Sequence, residues 1–452
     1  MSKPTSIQNP SICVIGSGAA GLSAAYFLKA LGYTNVIVLE KENRVGGKCL
    51  SVTVDSRSFD LGANYITSNY KQVMGLARKF GASMYIEGKL NAYDYENAEF
   101  SSLLKAVLKK ISIIKMGWLS LKYIFKRWRL NSIISVRKPG FRNIANHPEL
   151  CKSFEHWLDK NGLTDLGVLF QIPISLMGYG RLQQIPAAYA LTYMTTSTFL
   201  DLALAAISPR IKGYPKRFTE GYQRLWERIS WEIEAKVGAE VTHVTRGEKI
   251  RIEYTEVEET LGKLTKASRS LECDYLIIGA PLFYESISGF LKDMSDEEIK
   301  LFKKVSYDPF IVTTYIAPGL KDFTAATFMV PEPPFYQPTV ITRQFSNNDL
   351  VSIYTRTKYG EPVDKEKILK INREFIRKAC GIELGEYYTY SEFPYFPHVN
   401  IDEMLNNFYG DFDSMQGKNN TYYVGGLLNF ELVETIVNYS KSLVENNFPK
   451  RK

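Results

Sequence analysis

A chain of 452 residues, 45% hydrophobic and 23% charged, has the composition of a folded globular protein with room for two domains, which excludes intrinsic disorder. No stretch supplies the roughly 20 clean apolar residues of a transmembrane helix; the longest uncharged run, Leu182 to Leu200, is rich in Gln, Thr, Ser and Tyr. The formal net charge of +8 is confined to one segment, because Ser101 to Pro148 holds eleven Lys and Arg and no Asp or Glu, leaving the remainder slightly acidic.

The chain begins with a buried strand, Ile12 to Ile15, then Gly16-Ser-Gly18-Ala19-Ala20-Gly21 and a helix whose apolar periodicity runs from Leu22 to Leu31. This is the G-x-G-x-x-G spacing. Gly16 permits the tight turn, Gly18 lets a pyrophosphate approach the backbone, and Gly21 lets helix and strand pack closely. The free N–H groups of the helix start face the phosphate charges. A second strand, Asn35 to Leu39, ends in Glu40, placed to hold the adenosine ribose hydroxyls, with Lys41 beside it. Strand, glycines, helix, strand and acid in that order predict a dinucleotide site. Arg44-Val-Gly46-Gly47-Lys48 follows, and Gly62-Ala63-Asn64 comes after a short strand, Ser51 to Val54. The paired glycines suggest backbone against phosphate or ribitol, with Arg44 supplying charge.

A helix from Lys71 to Phe80 closes this first part, and the polar stretch Glu87 to Phe100 leads out of it. To about Pro215 the pattern is mostly helical, including Leu150 to Leu158 and Ile185 to Met194. The basic segment carries Trp118, Phe125, Trp128 and many Leu and Ile at spacings of three and four, hence one or two amphipathic helices. A Lys/Arg-rich face opposite Trp, Phe and Leu is the composition of an interfacial membrane helix, while a solvated helix packed on its own protein is the alternative. No nucleic-acid fold accompanies the charge, so no nucleic-acid partner is expected. Gly221 to Trp231 is a helix; Ala239 to Thr245, Ile250 to Thr255 and Leu271 to Pro281 are strands that return the chain to the first sheet. From Leu282 to Tyr388, runs such as Phe310 to Ile316 and Leu350 to Thr357 predict a second sheet, with Pro331, Pro333, Pro334 and Pro338 in a loop. Thr421 to Gly425-Gly426 is a last buried strand and turn before the helix Val433 to Glu445, whose N-terminus, with Val433 and Glu434, points at the cofactor.

The five cysteines lack C-x-x-C pairing and read as reduced, mostly buried thiols. The four histidines are far apart, so no metal site is expected, and His398 reads as structural rather than as a reacting group. Met1 to Pro10 is polar and unlike a secretory leader, which favours a cytoplasmic protein, with peripheral contact at the inner membrane face through 101–148 as the further expectation.

The tandem of glycine loop, Glu40 and Arg44-Val-Gly-Gly-Lys48 resembles the FAD-binding half of the flavin amine oxidase and phytoene desaturase superfamily. The resemblance implies FAD, with a nicotinamide dinucleotide alone as the second choice. It implies an α/β fold: an FAD-binding Rossmann-like (GR2-type) domain with an interleaved α+β substrate domain and a helical cap. The expected division is 1–86, 216–285 and 395–452 for FAD, 87–215 for the cap and 286–394 for the substrate sheet, with the backbone of Val241 at the adenine. More narrowly, Val45-Gly-Gly-Lys-Cys49, Gly178-Tyr-Gly180, Ile185-Pro-Ala-Ala-Tyr189, Tyr395-Phe-Pro-His-Val399, Met415-Gln-Gly417 and Asn438-Tyr-Ser-Lys-Ser-Leu443 resemble the bacterial FAD-containing polyunsaturated fatty acid double-bond isomerases. That family conjugates the double bonds of a free fatty acid. The implied chemistry is hydride abstraction to flavin N5 and return to another carbon, a redox-neutral cycle that needs no paired carboxylates or catalytic triad. Tyr179, Tyr189 and Tyr193 are candidates to line the channel, and a plain core role is the alternative. An oxidase or desaturase of an amine or long-chain lipid is the competing function, and a non-catalytic lipid-carrying flavoprotein is a third.

Two departures stand out. The family anchors the substrate carboxylate with an Arg where this chain has Lys89 to Asp94, leaving Lys89 or a basic residue of 101–148 to substitute. The superfamily also places a ribitol-binding acid after the last strand's glycine, where this chain has Gly426.

Overall fold

Four short, apolar β segments, three of them buried at every residue, cannot stand alone, and they assemble into one parallel sheet with a fifth strand that the sequence pattern missed. In the computed structural model, which describes residues 9–88, 90–94, 99–135, 139–260, 263–320, 325–329, 335–345 and 348–451, the order is Thr421–Tyr423, Tyr275–Ile278, Ile12–Ile15, Val36–Leu39, Glu234–Lys236. Parallel strands buried on both faces read as continuous apolar runs rather than alternation, as Ile12–Ile15 and Tyr275–Ile278 do. The helices Ala19–Ala30 and Val433–Asn447 pack on each other over this sheet. They are fastened by the Ser440 hydroxyl, which donates to the Ala20 carbonyl at 3.1 Å.

The expected strand Leu271 to Pro281 divides in two. Lys263–Cys273 pairs with Ile250–Thr260 and then Ala239–Arg246 in a separate three-stranded antiparallel sheet, and only Tyr275–Ile278 enters the parallel one. The long hairpin alternates exposed and buried positions in its first half, which a search for buried runs does not detect.

The second large sheet has seven strands in the order Tyr387–His398, Ser306–Ile316, Leu350–Arg356, Pro338–Thr342, Ala325–Met329, Leu90–Asp94, Glu99–Ser102. All its pairs are antiparallel except Ala325–Met329 with Leu90–Asp94. Two corrections follow. The polar stretch 87–100, read as a connector, supplies the last two strands at one side of the sheet, Glu99–Ser102 forming its edge. Pro338, expected in a loop, opens a strand; Pro331, Pro333 and Pro334 lie outside the described residues. The seam expected at 394/395 also falls inside the strand Tyr387–His398.

The chain leaves for the cap and returns through two adjacent strands, Met84–Ile86 and Lys216–Phe218, paired antiparallel. Behind them Glu87 and Arg217 form an ion pair with both side chains fully buried. Between these crossings lie the cap helices, among them Leu103–Leu108, Ile113–Arg129, Phe154–Lys160, Ala187–Tyr193 and Thr196–Ala205. Among the described residues no helix is long and apolar enough to cross a membrane.

Candidate active site

Two glycine turns form the floor. Gly16 has φ +95° and donates its N–H to the Leu39 carbonyl at 2.8 Å, tying the first turn to the neighbouring strand. A Cβ on Gly21 would run into the Gly16 carbonyl oxygen, so helix and strand approach as closely as glycine alone permits. The second turn lies against the first: Gly46 donates to the Ser17 carbonyl at 3.0 Å, and a Cβ on Gly47 would sit 2.9 Å from the Gly18 Cα. Arg44 braces that turn by donating Nη1 to the Gly47 carbonyl at 2.9 Å. Glu40 is buried at the end of its strand; one carboxylate oxygen accepts from the Ser17 N–H and hydroxyl at 2.7 and 2.8 Å, the other from the Glu42 N–H at 3.0 Å.

Above this floor is a cavity of about 1010 Å³. Its walls include Gly16, Gly18, Ala19, Ala20, Glu40, Lys41, Arg44, Gly46, Gly47, Lys48, Gly62, Ala63, Asn64, Val241, Gly425, Gly426 and Val433, contributed by six separate stretches of sequence. Gly21 stands behind the wall, in its packing role. Glu434 is not in the wall either. Its carboxylate accepts the N–H groups of Gln72 and Val73, both at 3.0 Å, at the start of the helix Lys71–Lys79, and the Asn438 side chain at 2.9 Å. It therefore serves a neighbouring helix N-terminus rather than the cavity.

An acid close by that does face the cavity is Glu431, which sequence reasoning missed. Phe430, a bulky residue at φ +71°, turns the chain back, and the Glu431 carboxylate lies over Gly426 so closely that any Cβ there would collide with Oε2. Lys48 Nζ pairs with Glu431 Oε1 at 2.5 Å. The available signal was an acid between Phe430 and Leu432 in an otherwise apolar loop, too local a cue to give its direction.

Next to this pair begins an aromatic cluster. The Tyr179 hydroxyl donates to the Glu431 carbonyl at 3.1 Å, and its ring lies 5.6 Å from Tyr193, 5.3 Å from Tyr395 and 4.7 Å from Phe430. Burial raises the phenols of Tyr179, Tyr193 and Tyr395, keeping them neutral. Beyond them the cavity continues as an apolar limb between the second sheet and the cap, past Val107, Ile172, Met177, Phe199, Leu202 and Val312.

Residues 19–309 match the flavin containing amine oxidoreductase family. The chain belongs to that family. It is an FAD-dependent enzyme of the amine oxidase superfamily, and FAD is its cofactor. Over 98% of its length it superposes on 100% of the CLA-producing fatty acid isomerase from P. acnes, with a TM-score of 0.80 and 22% identity, which is a likeness of fold. It is 23% identical to FAD-dependent oxidoreductase dpchF of Colletotrichum higginsianum, over 92% of this chain and 88% of that one. It is 25% identical to the L-amino-acid oxidase of Sistrurus catenatus edwardsii over 61% of this chain and 51% of the oxidase.

This amine oxidase family member is shaped for its cofactor. Both glycine turns are stripped of side chains where they meet, the buried carboxylate of Glu40 stands beside them, and one continuous cavity joins them to the aromatic cluster. Of the three tyrosine candidates, Tyr179 and Tyr193 line that cavity and Tyr189 does not. Its hydroxyl bonds the Tyr409 hydroxyl and accepts the Val399 N–H at 3.2 Å, while Tyr409 donates to the Leu427 carbonyl at 3.1 Å. Tyr189 is thus a brace within the core. His398 likewise stays outside the cavity, stacked on Phe396 with Nδ1 2.7 Å from the Phe396 carbonyl; burial lowers its pKa. None of the described Lys or Arg of 101–148 lines the cavity, and Lys89, Arg137 and Lys138 lie outside the described residues. Polar side chains on that wall include Asn91, Asn64, which donates to the Tyr354 hydroxyl at 3.0 Å, Thr327, whose buried hydroxyl has no hydrogen-bond partner among the described residues, and Ser391 and Glu392 of the second sheet, the last with its pKa raised by burial.

Proposed function

We propose that this enzyme isomerises the double bonds of a long-chain polyunsaturated fatty acid. The observation that carries the reading is the apolar limb leading off the cofactor cradle, walled by Val107, Ile172, Met177, Phe199 and Leu202. A limb of that kind excludes water and suits a hydrocarbon chain rather than a charged amine. The fold likeness to the P. acnes isomerase agrees with it. When bound, FAD supplies a hydride acceptor that can also return what it accepts. The chain's own residues do the rest. Gly16, Gly18, Gly46 and Gly47 admit the cofactor backbone, Glu40 and Val241 hold its adenosine end, and Gly62, Ala63, Asn64, Gly425 and Val433 border its far end. Glu431 supplies the carboxylate that the superfamily carries at Gly426, reaching the same place from five residues further along. Tyr179 and Tyr193, neutral and rigid, flank the reacting carbons without offering a base. Asn91 and the Thr327 hydroxyl are the groups placed to meet a polar head.

The similarity to an L-amino-acid oxidase favours a second reading, net oxidation of an amine or lipid with an external acceptor. Anaerobic incubation of the yellow protein with polyunsaturated fatty acids separates the two. Conjugated-diene absorbance that grows while the flavin stays oxidised is expected for the isomerase. Bleaching that recovers only in air would replace it with the oxidase or desaturase.

A further inference from the structure

The basic helix Ile113–Arg129 has three faces rather than two. Ile114, Trp118, Leu121, Phe125 and Trp128, spaced four and three residues apart, form one stripe, and every one of them is between 54% and 84% exposed. Beside the stripe runs a basic row, Lys115, Lys122 and Arg129, with Lys126 next to it. Opposite, Leu119, Tyr123 and Arg127 are buried. The inner face is bolted down: the Tyr123 hydroxyl donates to the Met194 carbonyl at 2.5 Å and Arg127 Nε to the Leu191 carbonyl at 2.8 Å. The stripe is thus held outward by a well-made inner face. Five large apolar side chains in one line is a patch that soluble surfaces rarely leave uncovered.

We propose that this helix docks the enzyme on an anionic lipid bilayer, with the apolar stripe in the interface and the basic row against the head groups. Charge decides against a second copy as the occupant. From Ser101 to Pro148 there is no acid, and although Lys115 pairs with the exposed Asp165 at 2.8 Å, a two-fold contact between stripes would gather the basic residues of both copies into one interface. An anionic bilayer offers the opposite charge, about 1 kcal/mol per basic residue near its surface. The helix lies on the membrane and does not span it, since no described helix is suited to crossing.

The docking helix adjoins the substrate limb through its inner face. Tyr123 packs on Phe199 with ring centroids 4.7 Å apart, and Phe199 belongs to the helix Thr196–Ala205, whose Leu202 and Ala203 wall the limb. Directly after that helix Ile207 and Ile211 are exposed, with Arg210 and Lys212 beside them. Docking so placed lets an apolar substrate pass from the bilayer to the limb; that consequence rests on the function proposed above, and docking itself does not.

Co-sedimentation of the full-length yellow protein with phosphatidylcholine vesicles, with and without phosphatidylglycerol, tests it. Binding is expected to the anionic vesicles and to weaken as salt rises. The variant Trp118→Ser/Phe125→Ser/Trp128→Ser should bind roughly tenfold or more weakly, and Lys115→Gln/Lys122→Gln/Arg129→Gln should lose the salt dependence, both with an unchanged flavin spectrum. Quenching of tryptophan fluorescence by brominated lipid reads the same contact without mutation. Wild-type protein that stays in the supernatant and is not quenched overturns the proposal. So does a wild-type dimer that the aromatic variant converts to monomer, which would make a second copy the occupant. Vesicle binding without diene formation leaves docking standing and removes the fatty acid reading. Diene formation without vesicle binding does the reverse.

Discussion

The two ends of the cavity are built in different ways. At the cofactor end the wall is mostly backbone: glycines at Gly16, Gly18, Gly46 and Gly47, ordered by fixed carboxylates and an arginine. At the other end the wall is side chain, drawn from the cap helices and one face of the seven-stranded sheet, and its shape depends on how those elements meet. A site made of backbone demands particular residues, because only glycine leaves room there. A site made of apolar side chains demands only volume and hydrophobicity, which many sequences satisfy. The first kind is therefore conspicuous in a sequence and intolerant of change. The second is inconspicuous and adjustable.

The sharpest break of this contrast lies within one turn. Gly21→Ala sets a methyl against the Gly16 carbonyl and should cost roughly 3 kcal/mol of stability or prevent folding, read by thermal unfolding of the purified protein. Gly18→Val, whose Cβ meets nothing closer than Gly47 Cα at 3.8 Å, should fold within about 1 kcal/mol of wild type yet purify colourless. Yellow, fully loaded Gly18→Val protein would show that the cofactor does not approach that backbone.

Next in size is the charge that holds the cofactor half together. Glu298 accepts from Arg246 at 2.6 and 2.8 Å and from the Tyr423 hydroxyl at 2.5 Å, joining the three-stranded sheet to the last parallel strand. Burial alone would raise its pKa, but those bonds and the Ser295 N–H outweigh it and hold the carboxyl at about 2, against 4.5 unperturbed. Between these values the folded protein binds fewer protons than the unfolded one. The pair's contribution is therefore complete above about 4.5 and lost as pH falls towards 2. Glu298→Gln should cost about 3 kcal/mol near neutrality and flatten the acid limb of the stability curve; an unchanged limb would assign it to other carboxylates.

Smaller changes test each end separately. Glu431→Gln should weaken FAD retention roughly tenfold while the fold persists, measured by flavin release on dilution. At the other end, Ala203→Trp should fill the limb and raise KM for a long-chain substrate by about tenfold with the flavin spectrum unaltered. Tyr189→Phe strands the Val399 N–H and should cost only about 1 kcal/mol, with turnover unchanged, as suits a brace.

The sequence by itself determined the order of elements in the first fifty residues, with ends correct to within a few residues, because strand, glycine turn, helix and acid are local and each glycine answers a steric demand within a few residues. It also located the last strand and helix and the basic segment's amphipathic character. It did not reveal that Leu90–Asp94 and Glu99–Ser102 complete the second sheet, since Leu90–Asp94 joins that sheet through a neighbour some 230 residues away in the chain. Nor did it separate Tyr179 and Tyr193 from Tyr189, or Glu431 from Glu434. Residue type and spacing are alike within each set, and only packing decides which side chain faces the cavity and which is spent on the core. The three-faced helix is the same lesson on the surface. Periodicity reported an apolar side and a basic side, but which apolar side chains the protein covers itself, and which it leaves outward, was decided where Tyr123 and Arg127 found their partners in the cap.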